Sequence, residues 1–183
     1  SGQCLFSSMI GGRSGNRGRC AQPCRLHYSV KLDGRRSREQ YPLSLKDMCT
    51  IEHLPELIEA GIDSFKIEGR MKRPEYAAGV TSVYRKYIDR YYQLRGNCDA
   101  AEAAERFRVE KLDRRILNSL YIRSEVQDGY YFKHNGKEMV TLDSPAYSAT
   151  DDALLQRLHE QFLGDKKKLP VVLKGYFHIG SPA

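Results

Sequence analysis

The sequence predicts an α/β fold followed by a smaller α+β region, and its clearest element is a helix–strand–helix unit within residues 43–92. One helical face ends before Gly61, a compact strand is predicted over residues 62–69, and Pro74 opens a long helix. Short links between such elements are typical of α/β units. The unit is compatible with the last repeat of a barrel or with part of a doubly wound sheet.

The two helices of this unit are predicted from their periodicity and their ends. Leu54, Leu57 and Ile58 share one face of the first helix, and Gly61 suits its C-terminal cap. Proline costs little in the first turn of a helix, so Pro74 marks the start of the second helix. The apolar stripe of the second helix comprises Tyr76, Val80, Val83, Tyr84, Tyr87, Ile88 and Tyr91.

Turn signals and patterning predict the remaining elements. Asp33-Gly34 is a hairpin signal, and Asn135-Gly136 is a stronger one within a predicted hairpin over residues 129–142. Residues 93–106 are polar and rich in Ala and Glu, which favours a linker or a solvated helix. The last two predicted elements are an amphipathic helix over residues 151–163 and a strand over residues 170–179.

Positive charge is concentrated at the front of the chain. The net charge is +7, and residues 1–40 hold eight Lys or Arg against two acids, Asp33 and Glu39. A concentrated basic segment favours a phosphate-rich partner such as RNA or DNA. The alternative is a solvated basic loop without a nucleic-acid partner.

Five cysteines are present, and four of them lie in the first 49 residues. The odd number and the lack of any sign of secretion argue against a disulfide framework. Thiolates from separate loops suit iron–sulfur clusters, which need soft ligands. The alternative is that these residues are small buried apolar side chains.

Other function classes find little support in the sequence. No run of about 20 apolar residues predicts a membrane span, and no signal peptide opens the chain, so we expect a soluble, cytoplasmic protein without a membrane partner. The sequence contains neither the His-Glu-x-x-His pattern of zinc peptidases nor the Gly-x-Ser-x-Gly nucleophile elbow.

Three blocks of this sequence resemble the signature of the U-32 peptidase family. They are Ser1 to Cys4 with Arg13 to Arg25, Pro42 to Cys49, and Phe65 to Lys72. Residues 115–183 resemble the collagenase-type extension of longer members, notably at Asp128 to Tyr131 and Asn135 to Met139. The long type is similar to the ribosomal RNA hydroxycytidine synthases.

This resemblance implies a fold, a cofactor and a reaction. The fold is the C-terminal part of a TIM-like barrel over residues 1–100, followed by a partial collagenase-type extension over residues 101–183. The cofactor is a 4Fe–4S cluster. Members hydroxylate cytidine in ribosomal RNA, uridine in transfer RNA, or ubiquinone precursors, and the RNA-modifying members use prephenate as co-substrate. The family's older name is collagenase-like proteases.

The resemblance also implies the cluster ligands. Cys4, Cys20 and Cys49 stand where family ligands stand, and Cys24 is a possible substitute. The family pattern has another cysteine just upstream of Cys4, so we expect an N-terminal part of the barrel to precede this fragment.

Lys66, Glu68 and Arg70 are the candidate catalytic residues. Alternation along a strand puts all three on one face, as on an active-site strand of a barrel. Glu68 would act as acid or base, while Lys66 or Arg70 would hold a carboxylate or phosphate. The alternative is a surface strand with a ladder of ion pairs.

Arginines interleaved with glycines are the candidate RNA ligands. Such side chains contact backbone phosphates, although ion pairs anchoring a loop would use the same residue types. The candidates are Arg13, Arg17, Arg19 and Arg25.

Three functions remain open from the sequence. The first is iron–sulfur-dependent hydroxylation of ribosomal or transfer RNA, and the second is a collagenase-like peptidase. The third is a non-catalytic RNA-binding fragment. A partial barrel exposes apolar faces, so we also expect a homo-oligomer or docking of the missing N-terminal part.

Overall fold

The structure is a computed structural model that describes residues 3–36, 40–120, 126–132, 134, 136–142, 144, 151–164 and 172. The helices are α1 (Phe6–Gly11), α2 (Leu54–Glu59), α3 (Pro74–Arg95), α4 (Ala100–Arg106), α5 (Lys111–Leu120) and α6 (Asp152–Leu158). The strands are β1 (Lys31–Leu32), β2 (Arg35–Arg36), β3 (Tyr41–Leu45), β4 (Asp47–Met48), β5 (Val126–Gln127) and β6 (Val140–Leu142).

Helix α3 is the centre of the fold. It begins at Pro74, as predicted, because the missing proline N–H is not needed in the first turn. Its tyrosine and valine stripe is buried, with Tyr87 and Tyr91 fully enclosed. Phe107 closes this part of the core by packing edge-on against both tyrosine rings, with ring centroids 5.9 and 6.0 Å apart.

Helices α2 and α6 are confirmed, whereas residues 93–106, predicted as a linker or a solvated helix, contain the end of α3 and all of α4. Helix α2 ends before Gly61, whose φ of 80° suits a residue without a side chain. Residues 100–106 form α4, capped by the Asp99 carboxylate, which accepts from the Glu102 backbone N–H. Helix α6 is capped in the same way by Asp151 and continues into a π-helical turn at His159–Leu163.

One hydrophobic core joins residues on both sides of position 100. Its members include Val80 and Tyr87 of α3, Leu117 of α5 and Leu158 of α6. A Cβ on Gly79 would lie 2.6 Å from Leu120 Cδ1 and 2.8 Å from Leu158 Cδ1, so the glycine allows α5 and α6 to approach α3 closely. The division into residues 1–100 and 101–183 stays a prediction, although the described parts share this core.

Three two-stranded sheets are present among the described residues. Strands β1 and β2 form the predicted hairpin, with positive φ at Asp33 (49°) and Gly34 (77°). Strands β3 and β6 pair antiparallel, and β4 and β5 pair parallel.

Two strand predictions are wrong. Residues 62–69 run between α2 and α3 without joining a sheet. The predicted hairpin over residues 129–142 does not form among the described residues, since its C-terminal strand, β6, pairs with β3 instead. Asn135 lies outside the described residues, as does the predicted strand at 170–179 apart from Val172.

The assignment of this α/β unit to a TIM-like barrel, followed by a collagenase-type extension, stays a prediction. In the part of the chain that the structure describes, no helix is both long and apolar enough to cross a membrane.

Candidate functional site

A closed loop carries Cys20 and most of the candidate RNA-binding arginines. Ser7 Oγ in α1 accepts a hydrogen bond from the Ala21 backbone N–H at 2.8 Å. Arg13 Nε donates to the Arg19 carbonyl at 2.8 Å, which closes the loop on itself. We call residues 13–20 the arginine loop. It contains a short 3₁₀ turn at Gly15–Arg17.

The arginine loop docks on the segment that holds the candidate catalytic residues. Arg70 donates from one guanidinium nitrogen to Asn16 Oδ1 at 2.8 Å. A Cβ on Gly18 would lie 3.4 Å from the Arg70 carbonyl oxygen, and the glycine has a φ of 66°. Arg70 therefore connects the arginine loop to the segment that carries Lys66 and Glu68.

The structure brings Lys66, Glu68 and Arg70 together. Arg70 Nε lies 3.1 Å from Glu68 Oε1, and Lys66 Nζ lies 3.8 Å from Glu68 Oε2. The carboxylate thus sits between two cations. These contacts fit the ion-pair alternative as well as a catalytic role, so the roles of the three residues stay predictions.

The four candidate arginines have two different environments. Arg13, Arg17 and Arg19 are exposed. Arg25 is half-buried and donates to Ser44 Oγ at 2.7 Å and to the Leu45 carbonyl, which anchors the short 3₁₀ turn at Pro23–Arg25 to β3. The exposed three are therefore accessible to phosphates, whereas the Arg25 side chain is engaged with β3, and the RNA-binding role of all four stays a prediction.

A cavity of about 490 Å³ lies between β4, residues 62–68 and α3. Its polar lining includes Asp47 and Lys72, whose Oδ2 and Nζ atoms are 3.8 Å apart and whose side chains are 12% and 16% exposed. A second cavity of about 450 Å³ shares several lining residues with it and is also lined by Arg70. The lining of the first cavity comprises Asp47, Met48, Thr50, Leu57, Ile62, Ser64, Phe65, Lys66, Ile67, Glu68, Lys72, Tyr76, Val80, Tyr84 and Tyr131.

Two buried tyrosines of α3 form part of the cavity wall. Burial raises the pKa of Tyr76 to about 12, with smaller contributions from the charges of Asp47, Cys49 and Glu68. Burial also raises the pKa of Tyr84, and the neighbouring Cys49 adds to this effect. Both hydroxyls therefore stay protonated near neutral pH and can donate hydrogen bonds.

A sequence model of the peptidase family U32 matches residues 1–141, which is well over half of the chain. The chain belongs to peptidase family U32.

Three known proteins are among those similar to this chain. The 23S rRNA 5-hydroxycytidine C2501 synthase of Escherichia coli (strain K12) is 45% identical over 105 residues, covering 56% of the chain and 16% of the relative. The tRNA hydroxylation protein P1 of Bacillus subtilis (strain 168) is 46% identical over 99 residues, covering 50% and 24%. An uncharacterised protease of Methanocaldococcus jannaschii is 37% identical over 153 residues, covering 75% and 32%.

The matches to these three relatives span between 16% and 32% of their length. No solved structure matches the chain.

The cysteines of this U32 chain offer the right donor atoms for an iron–sulfur cluster but do not assemble one. Cys4 is exposed, and Cys20, Cys24 and Cys49 are half-buried. The Gln22 backbone N–H donates to Cys20 Sγ at 3.3 Å. Across the described ranges, no three Cys, His, Asp or Glu side chains come together as a metal-binding group. The arrangement therefore does not fit a cluster by itself.

Sequence reasoning missed four residues of the cavity in this U32 chain. Asp47 and Lys72 lie inside the family blocks, but their pattern predicts no role for them, and the spacing of Tyr76 and Tyr84 predicts only helix packing. Continuing the alternation of Lys66, Glu68 and Arg70 by two residues would have pointed to Lys72. Nothing local pointed to Asp47, because its place depends on the parallel pairing of β4 with β5.

Proposed function

We propose that this chain is part of an enzyme that hydroxylates a base of ribosomal or transfer RNA. The observation that carries the proposal is the identity of 45% and 46% to two relatives named for RNA hydroxylation. The exposed arginine loop, held against Glu68 through Arg70, supports it because it offers phosphate ligands beside a cavity.

The side chains of the Lys66 to Arg70 segment have distinct roles in this proposal. Glu68 is the proton acceptor or donor, because its carboxylate borders both cavities. Lys66 and Arg70 are cations beside it, suited to a phosphate or to a carboxylate of a co-substrate. By resemblance, that co-substrate is prephenate and the modified base is a cytidine of ribosomal RNA.

The proposed reaction is tested by analysing RNA from cells. The whole enzyme that contains this chain is produced in a bacterial strain that lacks its own RNA hydroxylases. The nucleosides of the RNA from that strain are then analysed by mass spectrometry. We expect a nucleoside heavier by one oxygen atom than its unmodified form. Replacing Glu68 with Gln should remove at least nine tenths of it, since a positioned acid or base contributes roughly 100-fold or more to rate.

The matched control for this experiment is Glu102→Gln. Glu102 is a glutamate of α4 that pairs with Arg106 at the surface, away from both cavities. Its replacement should leave the modified nucleoside unchanged. A modified nucleoside absent from cells with the unaltered protein would contradict the proposed reaction.

We also propose that Cys4, Cys20 and Cys49, with Cys24 as a possible substitute, bind a 4Fe–4S cluster together with further ligands of the whole protein. The support is the soft, accessible donor set and the resemblance of its spacing to the family. Because three donors do not converge among the described residues, no step of the reaction is derived through the cluster.

Iron and acid-labile sulfide in anaerobically reconstituted protein test the cluster. We expect both in the unaltered protein, and we expect Cys49→Ala to lose most of them. Cys98→Ala is the control, since Cys98 donates its S–H to the Leu94 carbonyl inside α3 and lies outside the family blocks. Equal iron in the two variants would contradict a role for Cys49 as a ligand.

A peptidase is the second candidate, because the family carries that description, one relative is named as a protease and two are named as collagenases. It predicts cleavage of gelatin or collagen peptides that survives the loss of Cys4 or Cys20. The third candidate, a fragment that binds RNA without catalysis, predicts RNA affinity without any modified nucleoside.

A further inference from the structure

The 490 Å³ cavity combines a mostly apolar wall with a small polar floor. Phe65, Tyr76, Tyr84 and Tyr131 are aromatic side chains of its lining. Cavities of roughly 300–1,000 Å³ with such a lining and a few polar groups are typical of sites for small ligands.

The polar floor offers a hydrogen-bond acceptor and a donor side by side. The Asp47 carboxylate can only accept, and the Lys72 ammonium can only donate. Their atoms Oδ2 and Nζ are 3.8 Å apart, and both side chains are mostly buried. Lys72 Nζ also lies 5.0 Å from the centre of the Tyr76 ring, so the cation is held against one face of that aromatic wall.

The lining includes apolar side chains that are open to solvent. Tyr131 is 52% exposed, Met48 is 55% exposed and Ile62 is 43% exposed, although all three line the cavity. A large exposed aromatic side chain beside a cavity provides a flat surface on which a planar ligand can stack.

The charges of the lining cancel. Lys66 and Lys72 are balanced by Asp47 and Glu68, so the cavity suits a neutral, planar ligand with donors and acceptors. The adjoining 450 Å³ cavity is different, because Lys66 and Arg70 face only Glu68 there. The excess positive charge suits a phosphate or carboxylate in that neighbouring space.

We propose that the 490 Å³ cavity takes a single RNA base that has left its stack, with Asp47 and Lys72 on the base edge and Tyr131 against its face. This inference rests on the proposed RNA function. Enzymes that modify a base act on a single strand or extrude the base from a duplex, and they hold it by stacking and by hydrogen bonds to its pairing edge. Asp47 accepts from an exocyclic amine, as an aspartate does from N4 of cytosine.

The arginine loop places phosphate ligands close to this base site. Asn16 in the loop accepts from Arg70, and Arg70 pairs with Glu68, which lines the cavity. Arg13, Arg17 and Arg19 are exposed on the same loop. A strand whose phosphates contact the loop can therefore deliver one base into the cavity.

The test compares two oligomers that carry the same phosphate charge. One is a short single-stranded oligocytidylate, and the other has the same length but lacks its bases. We expect the 183-residue chain to bind the oligocytidylate about tenfold more tightly, which is the size of the gain from one stacked base. Tyr131→Ala should reduce this preference to less than about twofold, because it removes the side chain against which the base stacks. The Tyr131 side chain is exposed, so its removal should not disturb the core.

Two further variants keep the test decisive. Tyr92→Ala removes an equally exposed tyrosine, 57% exposed on α3 and outside the lining, and should keep the tenfold preference. Asp47→Asn should weaken binding of the oligocytidylate but not of the baseless oligomer. A preference that survives both Tyr131→Ala and Asp47→Asn would place the base elsewhere and overturn the proposal.

The outcomes separate this inference from the proposed function. Equal, salt-dependent binding of both oligomers would overturn the base site while leaving an RNA-directed function intact. Binding of neither oligomer would overturn both.

Discussion

The Tyr84 side chain forms part of the cavity wall and contacts both Cys49 and Thr50. Its hydroxyl accepts from the Thr50 backbone N–H at 3.0 Å and lies 3.9 Å from Cys49 Sγ. Both Tyr84 and Thr50 are buried, so removal of the hydroxyl would take away the acceptor that this N–H has in the folded protein.

Tyr84→Phe should therefore destabilise the protein. Leaving a buried donor without an acceptor costs about 1–3 kcal/mol, and we expect a fall of that size in the free energy of unfolding measured by urea denaturation. Tyr92→Phe is the matched control on the same helix, because the Tyr92 side chain is 57% exposed. Equal stability of Tyr84→Phe and the unaltered protein would show that the Thr50 N–H finds another acceptor.

Local patterns in the sequence predict some residues of the site but not the contacts between distant residues. Lys66, Glu68 and Arg70 were found because residues two apart project from an extended segment in the same direction, and their charged groups do meet. The contact of Arg70 with Asn16 spans 54 positions. Such a contact depends on how the loop folds back, which no local pattern encodes.

At the scale of elements, a polar junction joins α3 to α5. Asp113 of α5 is buried, and its Oδ2 accepts from Lys86 Nζ and from the Tyr87 hydroxyl, each at 2.6 Å. Burial raises the pKa of Asp113, but the hydrogen bonds from Lys86 and Tyr87 and the charges of Lys86 and Arg90 lower it more. The pKa therefore lies below its ordinary value.

This junction should make the free energy of unfolding depend on pH in the acidic range. A carboxyl whose pKa is lower in the folded protein stabilises the fold above its unfolded pKa of about 3.9, and that contribution is lost as pH falls through the folded pKa. We expect Asp113→Asn to lower the free energy of unfolding at neutral pH and to flatten its decline below about pH 4.

Urea denaturation at a series of pH values between neutrality and acid measures this effect. Asp89→Asn is the control, because Asp89 forms an exposed ion pair with Arg85 on α3 and such pairs contribute little. A decline with acid as steep in Asp113→Asn as in the unaltered protein would assign the acid sensitivity to other carboxyls.

The elements also show why the helices were predicted better than the strands. The apolar stripe of α3, the glycine after α2 and the amphipathic pattern of α6 are local signals, and each predicts the right element. The pairing of β3 with β6 joins residues about 100 positions apart, and β4 with β5 about 80. Alternation marks an extended segment but does not identify its partner, so residues 62–69 were wrongly assigned to a sheet.

At the scale of the whole molecule, the arginine loop and the hydrophobic core are separate parts of the structure. The core around α3 is continuous from α2 to α6 and does not include the arginine loop. The loop is held by hydrogen bonds from Arg13 and Arg70. Changes at Arg17 and Arg19 should therefore alter RNA binding without altering stability.

The salt dependence of RNA affinity tests this separation. Each phosphate contact of a single strand contributes about −0.7 to the slope of log affinity against log salt. The double variant Arg17→Ala with Arg19→Ala should thus weaken binding and make the slope shallower by roughly 1.4, with unchanged urea denaturation.

A second double variant distinguishes contact from overall charge. Arg85→Ala with Arg115→Ala removes the same charge from exposed positions of α3 and α5. Because these positions lie outside the arginine loop, we expect their loss to change the slope by less than half as much. Equal changes of the slope in both double variants would mean that RNA affinity depends only on the net charge of the molecule. The arginine loop would then not be a specific contact site for RNA.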